Sequence, residues 1–304
     1  SKISQQLGSD VTITQGSEEW QIIYGTTRVG GLISFANSRL NNKWLDLVIT
    51  VASHRIYNIT KVFLDDDVVE FGGPGAFESR WSSAIIHTNA DGTTVRDTKG
   101  LNKVFMSISN GDADLNLPNG DLVAQNIGWT NQHLQTGRAY VYMILQWDAE
   151  LFPDGLPDIT FEVQGKLVYD PRSGVAGFNN NAALCIADYM MNKEFGLGIP
   201  IELMDMAGLI EEANYCDEAV TVVGGGTEKR YTVDGVMKAS ESPQSFLETM
   251  IHHTAGTICF SGGLWRILTA RWRAPVMSLD ENDILSQIQV TTKTSRRNNF
   301  NGVR

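Results

Sequence analysis

Short, mostly apolar runs recur along the first half of the chain, separated by glycine, asparagine or serine, and the run at residues 159–169 alternates apolar and polar residues. The runs are rich in β-branched and aromatic residues, which is typical of antiparallel strands that bury one face. They predict strands at residues 20–24, 29–35, 45–51, 56–63, 68–71, 104–108, 139–147 and 159–169. We therefore expect an antiparallel β-barrel or sandwich in this half of the chain.

After Pro171 the apolar period changes from two residues to about 3.6, which predicts helices. Asn180 or Asn181 is expected to cap one of them and Ser242 another, and a further helix is expected over residues 203–213. Six side chains on the inner faces of these helices are predicted to be buried: Leu184, Ile186, Met190, Ile210, Phe246 and Met250. Strands are expected between and after the helices, at residues 230–233, 257–260 and 264–272, so the second half is α+β.

The stretch at residues 72–100 interrupts the strand pattern. It begins with four turn-forming residues and carries one apolar island in a polar run. One interpretation is an extended arm that reaches a neighbouring subunit or partner protein through Trp81, Ile85 and Ile86. The other is a hairpin folded back onto its own barrel, and the pattern does not distinguish the two.

Composition narrows the class of protein. The 304 residues have a formal net charge of −11, with 42% hydrophobic and 19% charged residues, which excludes a disordered chain. A sequence pI near 4.9 argues against a nucleic-acid-binding surface. At this length two domains are expected rather than one. No run approaches the roughly 18 consecutive apolar residues of a membrane span.

Catalytic motifs are missing from the sequence. It contains no Gly-x-Ser-x-Gly, no His-Glu-x-x-His and no P-loop. Asp148 and Glu150 could form an acid/base pair, but at the end of a strand we expect solvated rim charges. The three cysteines have no Cys-x-x-Cys spacing and are expected to be buried free thiols. No catalytic residue and no cofactor are predicted.

Two acidic segments suggest a metal site at first sight. Residues 112–116 begin like a calcium loop, but Leu117 and Val123 stand where that loop needs a glycine and a bidentate glutamate. A polar turn closed by residues 119–120 is favoured instead. Residues 65–67 are three consecutive aspartates, and such residues on a hairpin turn rarely converge on one ion. No metal site is predicted.

Two longer runs carry a recognisable pattern. Residues 155–172 read G-L-P-D-I-T-F-E-V-Q-G-K-L-V-Y-D-P-R, and residues 181–190 read N-A-A-L-C-I-A-D-Y-M. Shorter runs accompany them at residues 23–31, 195–200, 213–218 and 297–303. Together they resemble the tip attachment protein J family, the tail-tip hub proteins of lambda-like siphophages, with Ala182 where that family usually has proline.

The resemblance implies a structural protein without enzymatic activity, located in the virion at the distal end of the phage tail. It implies a tail-tube-like antiparallel β-barrel at residues 1–170, a smaller α+β domain at 171–287 and the start of a truncated β domain at 288–304. The implied partners are two further copies in a homotrimer, rings of distal tail or tail-tube protein, the tape-measure protein and other tail-tip proteins. A host receptor would be met through C-terminal regions outside this sequence. Genomic DNA would pass without tight binding, which suits an acidic chain.

Two hypotheses from other classes stay open. Seven Trp residues and the acidic residues at 147–150 suggest a carbohydrate-binding or glycan-degrading domain on a virion. The segment after Asp112 suggests a calcium-stabilised adhesin module. A sugar bound beside exposed Trp side chains would support the first, and melting that is insensitive to chelators would count against the second.

Overall fold

The computed structural model describes residues 19–72, 80–112, 117–153, 155–275 and 277–283. Residues through Ala270 form one unit, and residues from Arg271 onward form another. The strands of the first unit are β1 (Gln21–Tyr24), β2 (Thr26–Val29), β3 (Leu32–Arg39), β4 (Trp44–Ala52), β5 (Ile56–Leu64), β6 (Asp67–Phe71), β7 (Arg80–Thr88), β8 (Thr94–Asp97), β9 (Val104–Ser109), β10 (Ala139–Gln146), β11 (Ile159–Asp170), β12 (Val175–Phe178), β13 (Ala219–Thr221), β14 (Thr227–Lys229), β15 (Gly235–Lys238), β16 (Thr257–Ser261) and β17 (Leu264–Leu268). Its α-helices are α1 (Leu117–Ala124), α2 (Ala182–Met191), α3 (Met206–Cys216) and α4 (Pro243–His252). The predicted β segment at residues 288–304 lies outside the described residues.

Eleven strands form one antiparallel sheet, in the order β12-β11-β5-β6-β7-β9-β10-β4-β3. In addition, β2 pairs with β11, and β8 pairs with β7. Only Gly30 and Gly31 separate β2 from β3, so one stretch of chain reaches strands near both ends of the sheet and curls it into a half-barrel. The predicted mainly β architecture, with a few helices after it, is confirmed.

Three apolar cores are present among the described residues of the first unit. One lies on the inner face of the curled sheet and includes Val141 and Phe161. A second lies among the helices of the second half and includes Met190 and Phe246. A third lies on the outer face of β4 and β10, where α1 contributes Leu122. The predicted domain boundary at residue 170 stays a prediction.

Strand β1 contributes to two of these cores. It pairs with β15 in the second half, with Tyr24 opposite Gly235. Because successive strand residues point to opposite faces, Ile23 joins the core of the sheet while Ile22 and Tyr24 join the helical core. Sequence analysis placed β1 in the β-rich half alone, since a local pattern carries no information about a partner some two hundred positions away.

Two local predictions in the first half are corrected, and one choice that the sequence left open is decided. The strand expected at residues 29–35 is interrupted by Gly30 and Gly31 and forms parts of β2 and β3. Within residues 80–97, β7 and β8 belong to the sheet, so the folded-back hairpin is the alternative that the structure adopts. The turn expected at residues 119–120 lies inside α1, which forms because Leu122 finds a buried position against the sheet.

Helices α2 and α4 begin directly after residues that were predicted as their caps, Asn181 and Ser242. The Asn181 side chain accepts a hydrogen bond from the Leu184 N–H at 3.3 Å, and the Ser242 hydroxyl accepts one from the Ser245 N–H at 3.1 Å. The strand predicted at residues 230–233 does not form. The chain makes β14 before that segment and β15 after it.

The helix predicted over residues 203–213 begins later, as α3. Its start is set by Asp205, whose side chain accepts a hydrogen bond from the Gly208 N–H at 3.0 Å. The buried side chain is therefore Leu209, and Ile210 is only partly buried, contrary to the prediction. The other five predicted core side chains are buried: Leu184, Ile186, Met190, Phe246 and Met250.

Candidate interaction site and the junction between two cores

The residues predicted to contact a partner, Trp81, Ile85 and Ile86, all lie on β7. Ile85 is 3% exposed and belongs to the core of the sheet, so its side chain is not available at the surface. Trp81 is 38% exposed, and Ile86 is partly buried. The three residues therefore do not form one exposed anchor. Contact of Trp81 or Ile86 with a partner stays a prediction.

Trp81 belongs to a row of aromatic rings on the outer face of the sheet and lies between Trp44 and Phe105. Its ring centroid is 5.8 Å from that of Trp44 and 5.2 Å from that of Phe105, which is in turn 5.7 Å from Tyr142. Tyr142 is buried in the core that α1 covers, whereas Trp81 remains partly exposed. An exposed indole supported by other rings is suited to contact with another molecule.

The carboxylates considered for acid/base chemistry are held by separate lysines near this row. Lys103 Nζ lies 3.1 Å from Asp148 Oδ2, and Lys99 Nζ lies 2.7 Å from Glu150 Oε2. The hydrogen bond from Lys103 lowers the pKa of Asp148. A general acid must keep its proton near neutral pH, and this environment favours the ionised form. The two ion pairs therefore favour the interpretation of Asp148 and Glu150 as charged residues at the protein surface rather than as an acid/base pair.

A polar cluster joins β1, β11 and α2 at the boundary between two cores. The Tyr24 hydroxyl donates a hydrogen bond to Asp188 Oδ2 at 2.6 Å. Lys166 Nζ donates to both oxygens of the same carboxylate at 2.7 Å. Burial, followed by the nearby Asp188 carboxylate, raises the pKa of Tyr24 well above its usual value. The phenol therefore stays protonated and remains a hydrogen-bond donor.

His54 lies beside this cluster in the turn between β4 and β5. Its Nε2 accepts a hydrogen bond from the Ile23 N–H at 2.9 Å, and its Nδ1 is 2.8 Å from the Arg55 carbonyl oxygen. The acceptor role of Nε2 assigns the ring proton to Nδ1, which donates to that carbonyl. Burial lowers the pKa of His54 to about 4, so the ring is neutral at pH 7. The imidazole ring also packs near Phe195.

The Tyr-Asp-Pro-Arg run at the end of β11 forms a second charged cluster. Arg172 bonds both oxygens of Asp170, and its Nη1 lies 2.8 Å from Asp217 at the end of α3. Lys229 Nζ lies 2.9 Å from the other oxygen of Asp217. The hydrogen bond from Arg172 lowers the pKa of Asp170. This cluster ties the β11–β12 turn to the helical part.

The described residues contain no group of three His, Cys, Asp or Glu side chains that could hold a metal ion. Asp112 forms a 2.7 Å ion pair with Arg55, and residues 113–116 of the predicted calcium loop lie outside the described residues. Cys185 and Cys216 are free and buried, and burial raises the pKa of Cys216 to about 11. Cys259 is free and only partly buried. Among the described helices, none is both long and apolar enough to cross a membrane.

Sequence analysis singled out neither the cluster around Asp188 nor His54. A signal was nevertheless available. Lys166 is the one charged residue in the run 163–169, and Asp188 follows six apolar residues at 182–187. Both lie within the two longer runs, residues 155–172 and 181–190, that carry the family resemblance.

One comparison, with a curated protein, agrees with that resemblance. No protein-family model matches the chain. Over 175 residues, or 51% of the chain, it is 27% identical to the tip attachment protein J of Escherichia phage SECphi27. Among solved structures, a chain in the virion of a native gene transfer agent particle matches with a TM-score of 0.47 and 16% identity, over 88% of this chain and 57% of that one.

The chain covers 14% of the length of the phage SECphi27 protein. The matched relative carries the name of the family that the sequence runs predicted. The predicted resemblance to a phage tail-tip protein is thereby confirmed.

Proposed function

We propose that this chain is a structural component of a phage tail tip and forms part of its central hub. The observation that carries the proposal is the 27% identity with a tip attachment protein over half of the chain. The relative's name supports a location in the virion, at the tip of the tail. The chain acts by holding other proteins in place, and it has no enzymatic role in this proposal.

The finer part of the proposal concerns assembly. Three copies surround an axis, cap the tail tube and contact rings of distal tail or tail-tube protein, the tape-measure protein and other tail-tip proteins. The half-barrel supplies the rigid body that such a hub needs, and the buried cluster around Asp188 keeps its β and helical parts in one arrangement. The host receptor is met by regions outside this sequence.

The charge of the chain supports a role around a DNA path. A formal net charge of −11 repels phosphate, so genomic DNA can move past without being held. Ejection of the genome requires such passage. In this proposal the hub takes part in host attachment and in opening the path for DNA.

A carbohydrate-binding function is the second candidate. It is favoured by the partly exposed indole of Trp81 in its aromatic row, because flat aromatic faces are common in binding surfaces. A glycan-degrading activity is less well supported, since Asp148 and Glu150 are each paired with a lysine. Soaking with cell-wall oligosaccharides tests this candidate, and a sugar bound against Trp81 would favour it over the hub.

Labelling of virions tests the main proposal. An antibody raised against this chain, applied to intact particles and viewed by electron microscopy, should mark the distal end of the tail. Label on the capsid or along the whole tail would contradict the proposal. Particles that lack the protein serve as the control for non-specific label.

A further inference from the structure

Among the strands of the described residues, β3 ends the sheet and pairs with β4 alone. Its residues from Phe35 to Arg39 pair in regular register with β4. Among the described residues, no backbone hydrogen bond joins this stretch to any other strand. In an antiparallel ladder alternate residues direct their N–H and C=O groups away from the partner strand. The outer side of β3 therefore presents a row of free main-chain donors and acceptors.

This edge lacks the usual features that prevent strand pairing. Exposed edges are commonly protected by lysine, proline or a bulge within the exposed stretch. In β3 the bulge lies earlier, between Ile33 and Phe35, and the following residues include the small exposed Ala36 and Ser38. The single charged side chain, Arg39, is turned onto the Asp46 carboxylate, with hydrogen bonds of 2.6 and 2.9 Å.

Strand β8 shows what a protected edge looks like in the same sheet. Arg96 on β8 pairs with Glu70 at 2.7 Å, and Asp97 lies 3.8 Å from His87. Half of the residues of β8 are charged, and charged side chains on an edge strand disfavour its pairing with another strand. The contrast indicates that the open edge of β3 is not a general property of this sheet.

The opposite end of the sheet is open in the same way. Among the described residues, β12 pairs with β11 alone, and its sequence Val-Ala-Gly-Phe carries no charge. Four strand residues extend about 13 Å, close to the roughly 16 Å of the five free residues of β3. Because these are the two terminal strands of one sheet, an edge of one copy can pair with the other edge of the next.

We propose that the free edge of β3 receives strand β12 from a second copy of this chain, through main-chain hydrogen bonds. Such head-to-tail pairing uses two different surfaces on each copy, and it forms a closed ring when the rotation between neighbouring copies closes, as it does in a trimer. Strand addition of this kind takes affinity from the backbone and specificity from alternate side chains, here the small Ala36 and Ser38. The inference rests on the proposed homotrimer and names the surface that would hold it together.

Replacing two residues of the β3 edge with lysine tests this inference. In the intact protein, Ala36→Lys combined with Ser38→Lys should weaken self-association at least tenfold, as measured by analytical ultracentrifugation. The matched control is Thr94→Lys combined with Val95→Lys on the protected edge β8, which should leave self-association unchanged. Both pairs replace exposed side chains, so the melting temperature of each variant should stay close to that of the wild type. If the double variant does not fold, Ser38→Lys alone provides the same test.

The outcomes separate this inference from the proposed function. A wild-type trimer that survives the β3 lysines would overturn the inference and leave the homotrimer standing. This result is also expected if residues 1–18 of the same chain occupy the edge. A wild-type protein that stays monomeric at all concentrations would overturn both.

Discussion

Tyr24 and Asp188 lie 164 positions apart and are joined by a 2.6 Å hydrogen bond. Tyr24 belongs to the first strand of the fold, and Asp188 to the helix that follows the last strand of the sheet. Lys166 completes the cluster from β11. The stability of the helical part thus depends on a strand from the start of the chain, and the two halves should unfold together.

Removing one hydroxyl tests that dependence. Tyr24→Phe keeps the buried ring but takes a donor away from a charged acceptor, so the free energy of unfolding should fall by about 1.5–3 kcal/mol. Urea denaturation followed by fluorescence measures the change. Tyr57→Phe, at an exposed tyrosine, is the control and should have little effect. Equal stability of the two variants would contradict the role given to the Tyr24–Asp188 bond.

The lowered pKa of His54 predicts how the free energy of unfolding depends on pH. Its pKa is about 4 in the folded protein and about 6.5 when unfolded, so between these values the unfolded chain binds more protons. Stability should be greatest above pH 6.5 and should fall by about 3 kcal/mol as the pH drops to 4. Well below pH 4 both states are fully protonated, and the contribution of His54 no longer changes.

The variant His54→Gln isolates this contribution. It cannot titrate, so its stability should change less than that of the wild type between pH 6.5 and 4. Denaturant titrations of both proteins at several pH values give the comparison. Parallel pH profiles would show that His54 does not carry the predicted dependence.

A substitution at Phe246 tests the packing of the helical core. This side chain is buried against Tyr189, with ring centroids 4.9 Å apart. Phe246→Ala should cost about 3–5 kcal/mol through lost transfer free energy and the cavity left behind. The control is Phe260→Ala, at a phenylalanine that is 57% exposed, which should cost far less. A Phe246→Ala protein that melts like its parent would place α4 outside the core.

The close approach of the β1 backbone to Gly165 on β11 predicts a further effect on stability. A Cβ atom at this position would lie 2.2 Å from the carbonyl oxygen of Ile23, a distance that no side chain tolerates. Gly165→Ala should therefore push β1 away from β11 and cost about 1–3 kcal/mol. Gly177→Ala is the matched control, since nothing lies within 4 Å of the added atom there. Thermal melting of both variants measures the difference, and equal melting temperatures would contradict the packing of β1.

Much of the fold could be predicted because the relevant signals are local. The apolar runs rich in β-branched and aromatic residues that form β4, β5 and β10, and the alternation within β11, are local signals of strands. The caps Asn181 and Ser242 likewise mark helix starts in their own neighbourhood. These features need no knowledge of a distant partner. They account for the correct mainly β class and for two of the helices.

The errors arose where distant contacts outweigh local pattern. Ile85 was taken as a surface residue of a polar loop, but β6 and β8 on either side of β7 bring it into the core. Leu122 lies in a segment that resembles a turn, and its helix is held by contact with the sheet. Local sequence also gave no reason to connect Tyr24, Lys166 and Asp188. Their meeting depends on how β1 is placed by β15.

Electron cryo-microscopy of intact virions tests the central claim most directly. A reconstruction of the distal end of the tail should contain density into which the curled sheet and its helical part fit. The account predicts three copies of the chain around the tail axis at that position. A reconstruction that accounts for all tail-tip density without this chain, or that places the chain elsewhere in the virion, would contradict it.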